Sequence, residues 1–128
     1  MAGKFEITKA GDGPFSFEFF IDGTAVTQSP EFEKEDACRR GVKAVKKNSR
    51  MKVQNAFAGD EEKTNPKYLV EPAENGARFT LFLQTGEPCL TGTAADEAAA
   101  LAVIKQIGNN ANAAQMAMAE VVLSENEL

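Results

Sequence analysis

Two segments of this 128-residue chain carry the same apolar pattern 62 positions apart, and this repeat limits what the chain can fold into. Each segment, 15–21 and 77–83, alternates apolar and other residues and leads into a turn that contains glycine. The matching residues are Phe17 with Phe79, Phe19 with Leu81, and Phe20 with Phe82. Because alternation with a period of two is typical of a half-buried strand, each segment is predicted to be a β-strand.

A helical pattern follows each strand region and repeats at the same offset of 62. Apolar residues spaced i, i+3, i+4 and i+7 lie on one face of an α-helix. This spacing occurs at Cys38, Gly41, Val42 and Val45, and again at Ala100, Val103, Ile104 and Ile107. Asn48 and Asn110 close the two patterns, and Asn readily takes the left-handed conformation that ends many helices. Two amphipathic helices are therefore predicted, over 33–48 and 95–109.

Turn signals divide each copy of the pattern into three strands and one helix. The predicted strands are 4–8, 15–21, 24–28, 68–71, 77–83 and 87–91. We therefore predict an α+β fold built by tandem duplication of a β-β-β-α unit, with an antiparallel sheet and two packed helices. Because one unit of about 50 residues is marginally stable alone, both units are expected to share one domain, 1–128.

The predicted domain has four parts along the chain. They are repeat one (3–49), a polar linker (50–66), repeat two (67–111) and a C-terminal extension (112–128). The linker is expected to be irregular apart from a short turn near 53–57. Alanine and methionine in 113–123 favour a further helix, and Thr93 is the predicted N-cap of the second repeat's helix.

Composition argues against most catalytic chemistry. The chain contains no histidine, which removes most zinc sites and the Ser-His and Cys-His nucleophile pairs. The adjacent acids at 35–36 and 61–62 are sequence neighbours, whereas acid–base catalysis needs carboxylates that meet in a cleft. We therefore predict a protein that is not an enzyme, with no catalytic residues, no metal and no cofactor.

The location expected from the sequence is the cytoplasm, without membrane contact. No apolar run approaches the roughly 20 residues that span a bilayer, and the N-terminus lacks the pattern of a secretory signal. Cys38 and Cys89 are expected to be buried reduced thiols, although a single disulfide between them is open on paper.

Charge is unevenly distributed along the chain. The net charge is −5, from 14 Lys and Arg against 19 Asp and Glu, which disfavours general affinity for nucleic acid. The stretch 34–52 nevertheless contains eight basic and only two acidic residues. Four of these bases, Arg39, Lys43, Lys46 and Arg50, share one side of the predicted first helix, and Lys47 flanks them. The candidate basic patch consists of Arg39, Lys43, Lys46, Lys47 and Arg50.

Two interpretations of the basic patch are open. It can meet phosphates, with Phe20 and Phe82 as candidate exposed aromatics that stack on bases. The favoured interpretation is that the basic patch is a solvated helix face whose charges interact favourably with the helix dipole. In that case Phe20 and Phe82 are covered by the other repeat or by a dimer partner. Basic side chains flanked by an exposed Phe20 would favour nucleic acid, and an apolar patch would favour protein.

These motifs together resemble a known family. The opening Gly3-Lys4-Phe5-Glu6-Ile7, the Phe-x-Phe strand, the strand that ends at Ser29, and the helix segment 41–48 are similar to the YegP-like family. Its members are small bacterial proteins of uncharacterised function that contain one or two copies of this motif. The resemblance covers about 3–49 and 67–111. It implies a duplicated fold, but no established activity and no catalytic residues.

The function predicted from the sequence is that of a small non-enzymatic protein-interaction module. Its partner is a second molecule of the same chain or another protein. The alternative is weak binding of nucleic acid or a phosphate ligand through the basic face of the first helix.

Overall fold

The computed structural model of the protein describes residues 3–118. The elements in chain order are β1 (Gly3–Lys9), β2 (Phe15–Ile21), β3 (Thr24–Gln28), α1 (Glu35–Asn48), β4 (Val53–Asn55), β5 (Lys67–Ala73), β6 (Gly76–Phe82), β7 (Pro88–Ala94), α2 (Glu97–Asn110) and β8 (Gln115–Met118). A short 3-10 turn, Ala56–Ala58, follows β4. The α+β class with two helices is therefore confirmed. No helix within the described residues is long and apolar enough to cross a membrane.

All the named strands join one sheet, in the order β4-β5-β6-β7-β3-β2-β1-β8. The strands β1–β3 form an antiparallel N-terminal meander, and β5–β7 form an antiparallel C-terminal meander. The two meanders meet at an antiparallel seam between β3 and β7, with one register pair, Gln28 and Thr91. At the edges, β4 runs parallel to β5 and β8 runs parallel to β1. The predicted antiparallel sheet is thus correct for the six inner strands and wrong at both edges.

The two edge strands cross from one meander to the other. Helix α1 packs on β1, β2 and β7, and the next strand, β4, pairs with β5 of the C-terminal meander. Helix α2 packs on β5, β6 and β7, and the next strand, β8, pairs with β1 of the N-terminal meander. Each edge strand therefore extends one meander, although the helix that precedes it packs mainly on the other.

Two regions differ from their predictions because strand pairing overrides local preference. The polar linker contains β4 and the 3-10 turn. The alanine- and methionine-rich stretch contains β8 instead of a helix, and its residues 119–123 lie outside the described part of the chain. Pairing with β8 satisfies edge N–H and C=O groups of β1 that would otherwise stay open, and Met116 packs against the core. These gains outweigh the helix propensity of Ala and Met.

The core lies between the two helices and one face of the sheet. Strand alternation places the large core side chains on this face, and they are Phe5, Ile7, Phe17, Phe19, Ile21, Tyr68, Val70, Phe79, Leu81 and Leu90. The helices supply Cys38, Val42, Val45, Ala100, Ile104 and Ile107 from the predicted apolar stripes. Burial of each large side chain stabilises the fold by about 1.5–3 kcal/mol.

The glycine of the first helical stripe allows close packing. A Cβ atom at Gly41 would lie 2.8 Å from Cζ of Phe32 and 3.1 Å from Cε2 of Phe17. Because Phe17 is a core residue that stacks on Phe32, this part of α1 approaches the sheet more closely than a larger residue permits.

Both helices begin two residues later than predicted, and their ends are stabilised differently. The N-cap of α2 is Asp96, whose carboxylate accepts from the Ala99 N–H at 2.8 Å, so the predicted cap at Thr93 is wrong. The left-handed caps expected at Asn48 and Asn110 are also absent. Each Asn amide instead donates to the carbonyl oxygen four residues earlier, at 2.8 Å and 2.7 Å respectively.

Candidate functional site

Two members of the predicted basic patch are engaged in contacts within the chain. Arg39 Nε donates to Glu35 Oε2 at 2.8 Å, one turn earlier on α1. Lys46 Nζ donates to the Ala114 carbonyl oxygen at 2.6 Å and lies 5.9 Å from the ring centroid of Phe5. The ammonium of Lys46 therefore links α1 to the residue that precedes β8.

The other members differ in whether their side chains form hydrogen bonds or ion pairs. Arg50 Nε donates to the Gly108 carbonyl oxygen at 2.9 Å, which ties the chain after α1 to the last turn of α2. Lys43 and Lys47 are exposed, as is Arg40, and none of the three forms a hydrogen bond or ion pair within residues 3–118. We call Arg40, Lys43 and Lys47 the α1 cation patch. It is narrower than the predicted patch and contains one residue, Arg40, that the prediction left out.

The two candidate aromatics lie on the opposite side of the sheet from the helices. Phe20 is flanked along β2 by the buried Phe19 and Ile21, so its side chain points away from the core. Phe82 follows the buried Leu81 and also lies on the outer side, and both candidate rings are half-buried. The sheet therefore separates Phe20 and Phe82 from the basic side chains of α1.

This outer side of the sheet, the helix-free face, carries balanced charge. Its charged side chains among the described strands are Lys4, Lys67 and Arg78, and Glu6, Glu18 and Glu71. Two exposed pairs form within it, Lys4 Nζ to Glu6 Oε1 and Arg78 Nη2 to Glu71 Oε2, both at 3.3 Å. The helix-free face is thus neutral in a chain whose net charge is −5.

A furrow opens on the helix-free face at the seam between β3 and β7. One groove, of about 470 Å³, has polar lining residues that include Glu18 and Gln28, and it also reaches Val103 of α2. An adjoining groove of about 410 Å³ has apolar lining residues that include Phe82 and Pro88. Because Arg78 and Thr91 line both grooves, the two are continuous, and we call them together the seam furrow.

Three buried groups have strongly raised pKa values, and none of them lines the seam furrow. Burial raises the pKa of Cys38 to about 11, although the nearby Arg39 charge lowers it, and Glu35 adds to the rise. Burial raises the pKa of Cys89 to about 12, against a smaller opposing effect from its own backbone hydrogen bond. Burial also raises the pKa of Tyr68, and Cys89 contributes.

The contacts of these three groups indicate structural roles. The Tyr68 hydroxyl donates to the buried Ser49 carbonyl oxygen at 2.9 Å. Both thiols are free and buried, which confirms the prediction of two reduced, packed cysteines. Because the thiolate is the reactive form, thiols with such high pKa values are poor nucleophiles at neutral pH. Within residues 3–118, no group of three or more His, Cys, Asp or Glu side chains is placed to hold a metal ion.

Sequence reasoning missed one buried cation, Lys67, at the start of β5. Its exposed fraction is 7%, and its ammonium donates to Gln54 Oε1 at 2.6 Å. Lys4 pairs with Phe20, and Lys67 pairs with the matching Phe82. Lys67 is thus the structural equivalent of the exposed Lys4, so the repeat predicts an exposed side chain. The burial depends on how residues 59–66 fold beside β5, which no local pattern predicts.

No family model matches the chain, and neither does any curated protein. Two solved structures share its fold. A solution NMR structure of a UPF0339 protein from Shewanella oneidensis has a TM-score of 0.72 and 20% identity, and the match covers 95% of this chain and 97% of that one. A solution NMR structure of yegP, a protein of unknown function from E. coli, also has a TM-score of 0.72 and 20% identity, with coverage of 93% and 94%.

The chain has the fold of YegP-like proteins. The resemblance expected from the sequence is therefore confirmed at the level of the fold. The YegP-like and UPF0339 neighbours have no specific function assigned in their names, so they indicate none for this chain.

Proposed function

We propose that this chain is a small, non-enzymatic protein-interaction module that forms a homodimer through its helix-free face. The observation that carries this proposal is the seam furrow, which is concave, has mixed polar and apolar lining at its Glu18 end and is more apolar at its Phe82 end. Interfaces that bind specifically combine an apolar contact with a polar surround, and the furrow offers both.

The position of the aromatic rings favours protein over nucleic acid. Base stacking beside the α1 cation patch needs an aromatic ring on the same side of the sheet. Phe20 and Phe82 lie on the other side, and Phe82 contributes to the apolar groove instead.

The charges of the helix-free face are suited to a second molecule of the same chain. A two-fold interface uses the same patch on both molecules, so each cation must be able to meet an anion of that patch. Arg78 and Glu18 line the same groove, so a two-fold axis near the seam brings Arg78 of one molecule towards Glu18 of the other. The neutral face also avoids the repulsion expected between two chains of net charge −5.

Sedimentation velocity over a range of protein concentrations tests the proposal. We expect a reversible dimer, and we expect Arg78→Glu to weaken it by about tenfold or more because like charges then face each other. The double variant Arg78→Glu with Glu18→Arg should restore the dimer. The matched control is Lys43→Glu on α1, which should leave the dimer unchanged.

Two results would overturn this proposal. One is a wild-type chain that stays monomeric at the highest concentration reached. The other is an equal loss of dimer in Lys43→Glu and Arg78→Glu, because that places the interface elsewhere or shows a general charge effect. Thermal unfolding of each variant checks the monomer fold, and the exposed Arg78–Glu71 pair should contribute at most about 1 kcal/mol to it.

We also propose that the chain is a single domain that arose by tandem duplication of a β-β-β-α unit. The order of three strands and a helix occurs before β4 and again before β8. The equivalent Asn48 and Asn110 make the same side-chain hydrogen bond to the carbonyl oxygen four residues earlier, which supports a common origin.

A second candidate function is weak binding of nucleic acid or a phosphate ligand by the α1 cation patch. The observation in its favour is that Arg40, Lys43 and Lys47 are exposed and make no ion pair within the described residues. Three neighbouring cations form a small surface that can bind phosphate.

A further inference from the structure

Lys67 is a largely buried lysine that forms no ion pair within residues 3–118. It lies on the helix-free face beside the edge strand β4, and its exposed fraction is only 7%. Its one hydrogen bond within residues 3–118 goes to a neutral amide, Gln54 Oε1, and no described carboxylate forms an ion pair with it. Because this ammonium lines a groove and its described hydrogen bond goes to a neutral amide, it is suited to an anionic ligand.

Two further polar atoms near Lys67 have unused hydrogen-bonding capacity. Gln54 Oε1 accepts from both Lys67 Nζ, at 2.6 Å, and the Lys63 N–H, at 2.8 Å, while the amide nitrogen of Gln54 has no partner within the described residues. The side-chain oxygen of Asn65 is buried and accepts no hydrogen bond. The surroundings of Lys67 thus offer donors for an anion and one acceptor for an N–H group.

A groove of about 450 Å³ brings these groups together. Gln54, Asn65 and Lys67 line it, with Glu62 as the carboxylate and with Leu69 and Phe82 as apolar wall. This volume falls within the range of small-ligand sites, which combine apolar walls with a few placed polar groups. We call it the Lys67 groove.

We propose that the Lys67 groove binds an α-amino carboxylate with an apolar side chain, either as a free amino acid or as the C-terminal residue of a peptide. The Lys67 ammonium and the Gln54 amide N–H donate to the carboxylate. The N–H beside that carboxylate donates to Asn65 Oδ1, and Leu69 and Phe82 contact the apolar side chain.

The two sources of this ligand differ at the α-nitrogen. A free amino acid carries an ammonium there, which the Glu62 carboxylate attracts, whereas a peptide C-terminus carries a neutral amide. The residues that bind the ligand belong to one chain, but the groove shares Phe82 with the seam furrow, so the titration is made at a concentration where the chain is monomeric.

The test is an NMR titration of the isotopically labelled chain with three compounds: L-leucine, N-acetyl-L-leucine and L-leucinamide. We expect saturable shifts of the backbone signals of Lys67, Leu69 and Gly86 with at least one of the first two compounds. L-leucinamide lacks the carboxylate and should cause none. Tighter binding of L-leucine identifies a free amino acid as the ligand, and tighter binding of N-acetyl-L-leucine identifies a peptide C-terminus.

Variants then locate the site. Lys67→Met keeps the apolar stem but removes the charge, so it should weaken binding by about tenfold or more. Lys4→Met, an exposed lysine on the same face, is the matched control and should bind as the wild type does. Glu62→Gln changes an exposed side chain, so it should fold normally, and it should weaken binding of L-leucine more than that of N-acetyl-L-leucine.

Three results would contradict the proposal. They are the absence of saturable shifts with both carboxylates, equal binding of L-leucinamide, and unchanged affinity in a folded Lys67→Met variant. The first two are read on the wild-type chain, so the proposal stays open to disproof even if Lys67→Met does not fold.

Discussion

At the scale of single residues, burial sets the protonation of the two thiols. An unfolded Cys has a pKa near 9.0, whereas the pKa is about 11 for Cys38 and about 12 for Cys89 in the fold. Below pH 9 both thiols stay protonated in the folded and in the unfolded state, so the stability gained from burying neutral thiols is fully present. As the pH rises from 9 towards 11 and 12, the thiols ionise first in the unfolded state. This ionisation stabilises the unfolded state relative to the fold, so the stability gained from burying neutral thiols is lost.

We therefore expect the free energy of unfolding to fall above pH 9, by up to about 1.4 kcal/mol per pH unit for each buried thiol. Urea unfolding at a series of alkaline pH values measures the slope, and Cys89→Ala should reduce it, whatever that variant does to stability at neutral pH. A disulfide-exchange reagent at about pH 8 should react with neither thiol until the chain unfolds. Rapid reaction of the folded chain would contradict the burial of both.

The fate of the basic side chains shows what a sequence can predict about single residues. Helical spacing was enough to place Arg39, Lys43 and Lys46 on one side of α1. It could not show that Lys46 and Arg50 are engaged, because their acceptors on Ala114 and Gly108 are 68 and 58 residues away in sequence. Only the fold brings those carbonyl oxygens within reach.

At the scale of elements, the attachment of β8 depends on a residue of α1. Lys46 Nζ donates to the carbonyl oxygen of Ala114, immediately before β8 begins. Lys46→Met keeps the packing of the stem and removes this hydrogen bond, which is expected to contribute about 1 kcal/mol. The amide hydrogens of β8 that bond to β1 should then exchange with solvent about fivefold faster, as measured by NMR.

The control for this prediction is Lys47→Met, which changes the neighbouring lysine on the exposed side of α1. It should leave the exchange of the β8 amide hydrogens unchanged. Equal acceleration in both variants would show that loss of charge on α1, and not loss of the Ala114 contact, loosens β8.

The long elements could be predicted from the sequence, and the short ones could not. The bounds predicted for β2 and β3 agree with the structure, because seven alternating residues and a glycine turn are a strong local signal. β4 has three residues and β8 has four, too few to show alternation. Both are strands because a partner strand that is distant in sequence pairs with them, so a short segment of sequence cannot predict them.

At the scale of the whole molecule, we expect no binding of labelled single-stranded DNA or RNA at physiological salt, measured by fluorescence anisotropy. The net charge is −5, and the α1 cation patch offers only three free cations without an aromatic ring on its side of the sheet. Weak binding at low salt should disappear in the double variant Lys43→Ala with Lys47→Ala.

Binding that persists at physiological salt would support the second candidate function instead. Three phosphate contacts to a single strand predict a slope of about −2 in a plot of log affinity against log salt concentration. Retention of that binding by the double variant would place the nucleic-acid site away from α1.

The repeat predicted the class of the molecule but not its full topology. Two helices on a sheet follow from the two apolar patterns, and the YegP-like resemblance agrees with the observed fold. The seam at Gln28 and Thr91 and the buried Lys67 depend on how distant segments meet. The seam furrow and the Lys67 groove lie in these places, so neither site could be predicted from the sequence.

The placement of β8 beside β1 has a consequence for synthesis. A ribosome releases β1 early, but the strand that covers its outer edge emerges only after α2 has been made. Throughout that interval the nascent chain presents open backbone N–H and C=O groups along β1, which invite pairing with another chain. Slow translation of the C-terminal half should therefore lower the yield of folded protein more than slow translation of the first strands.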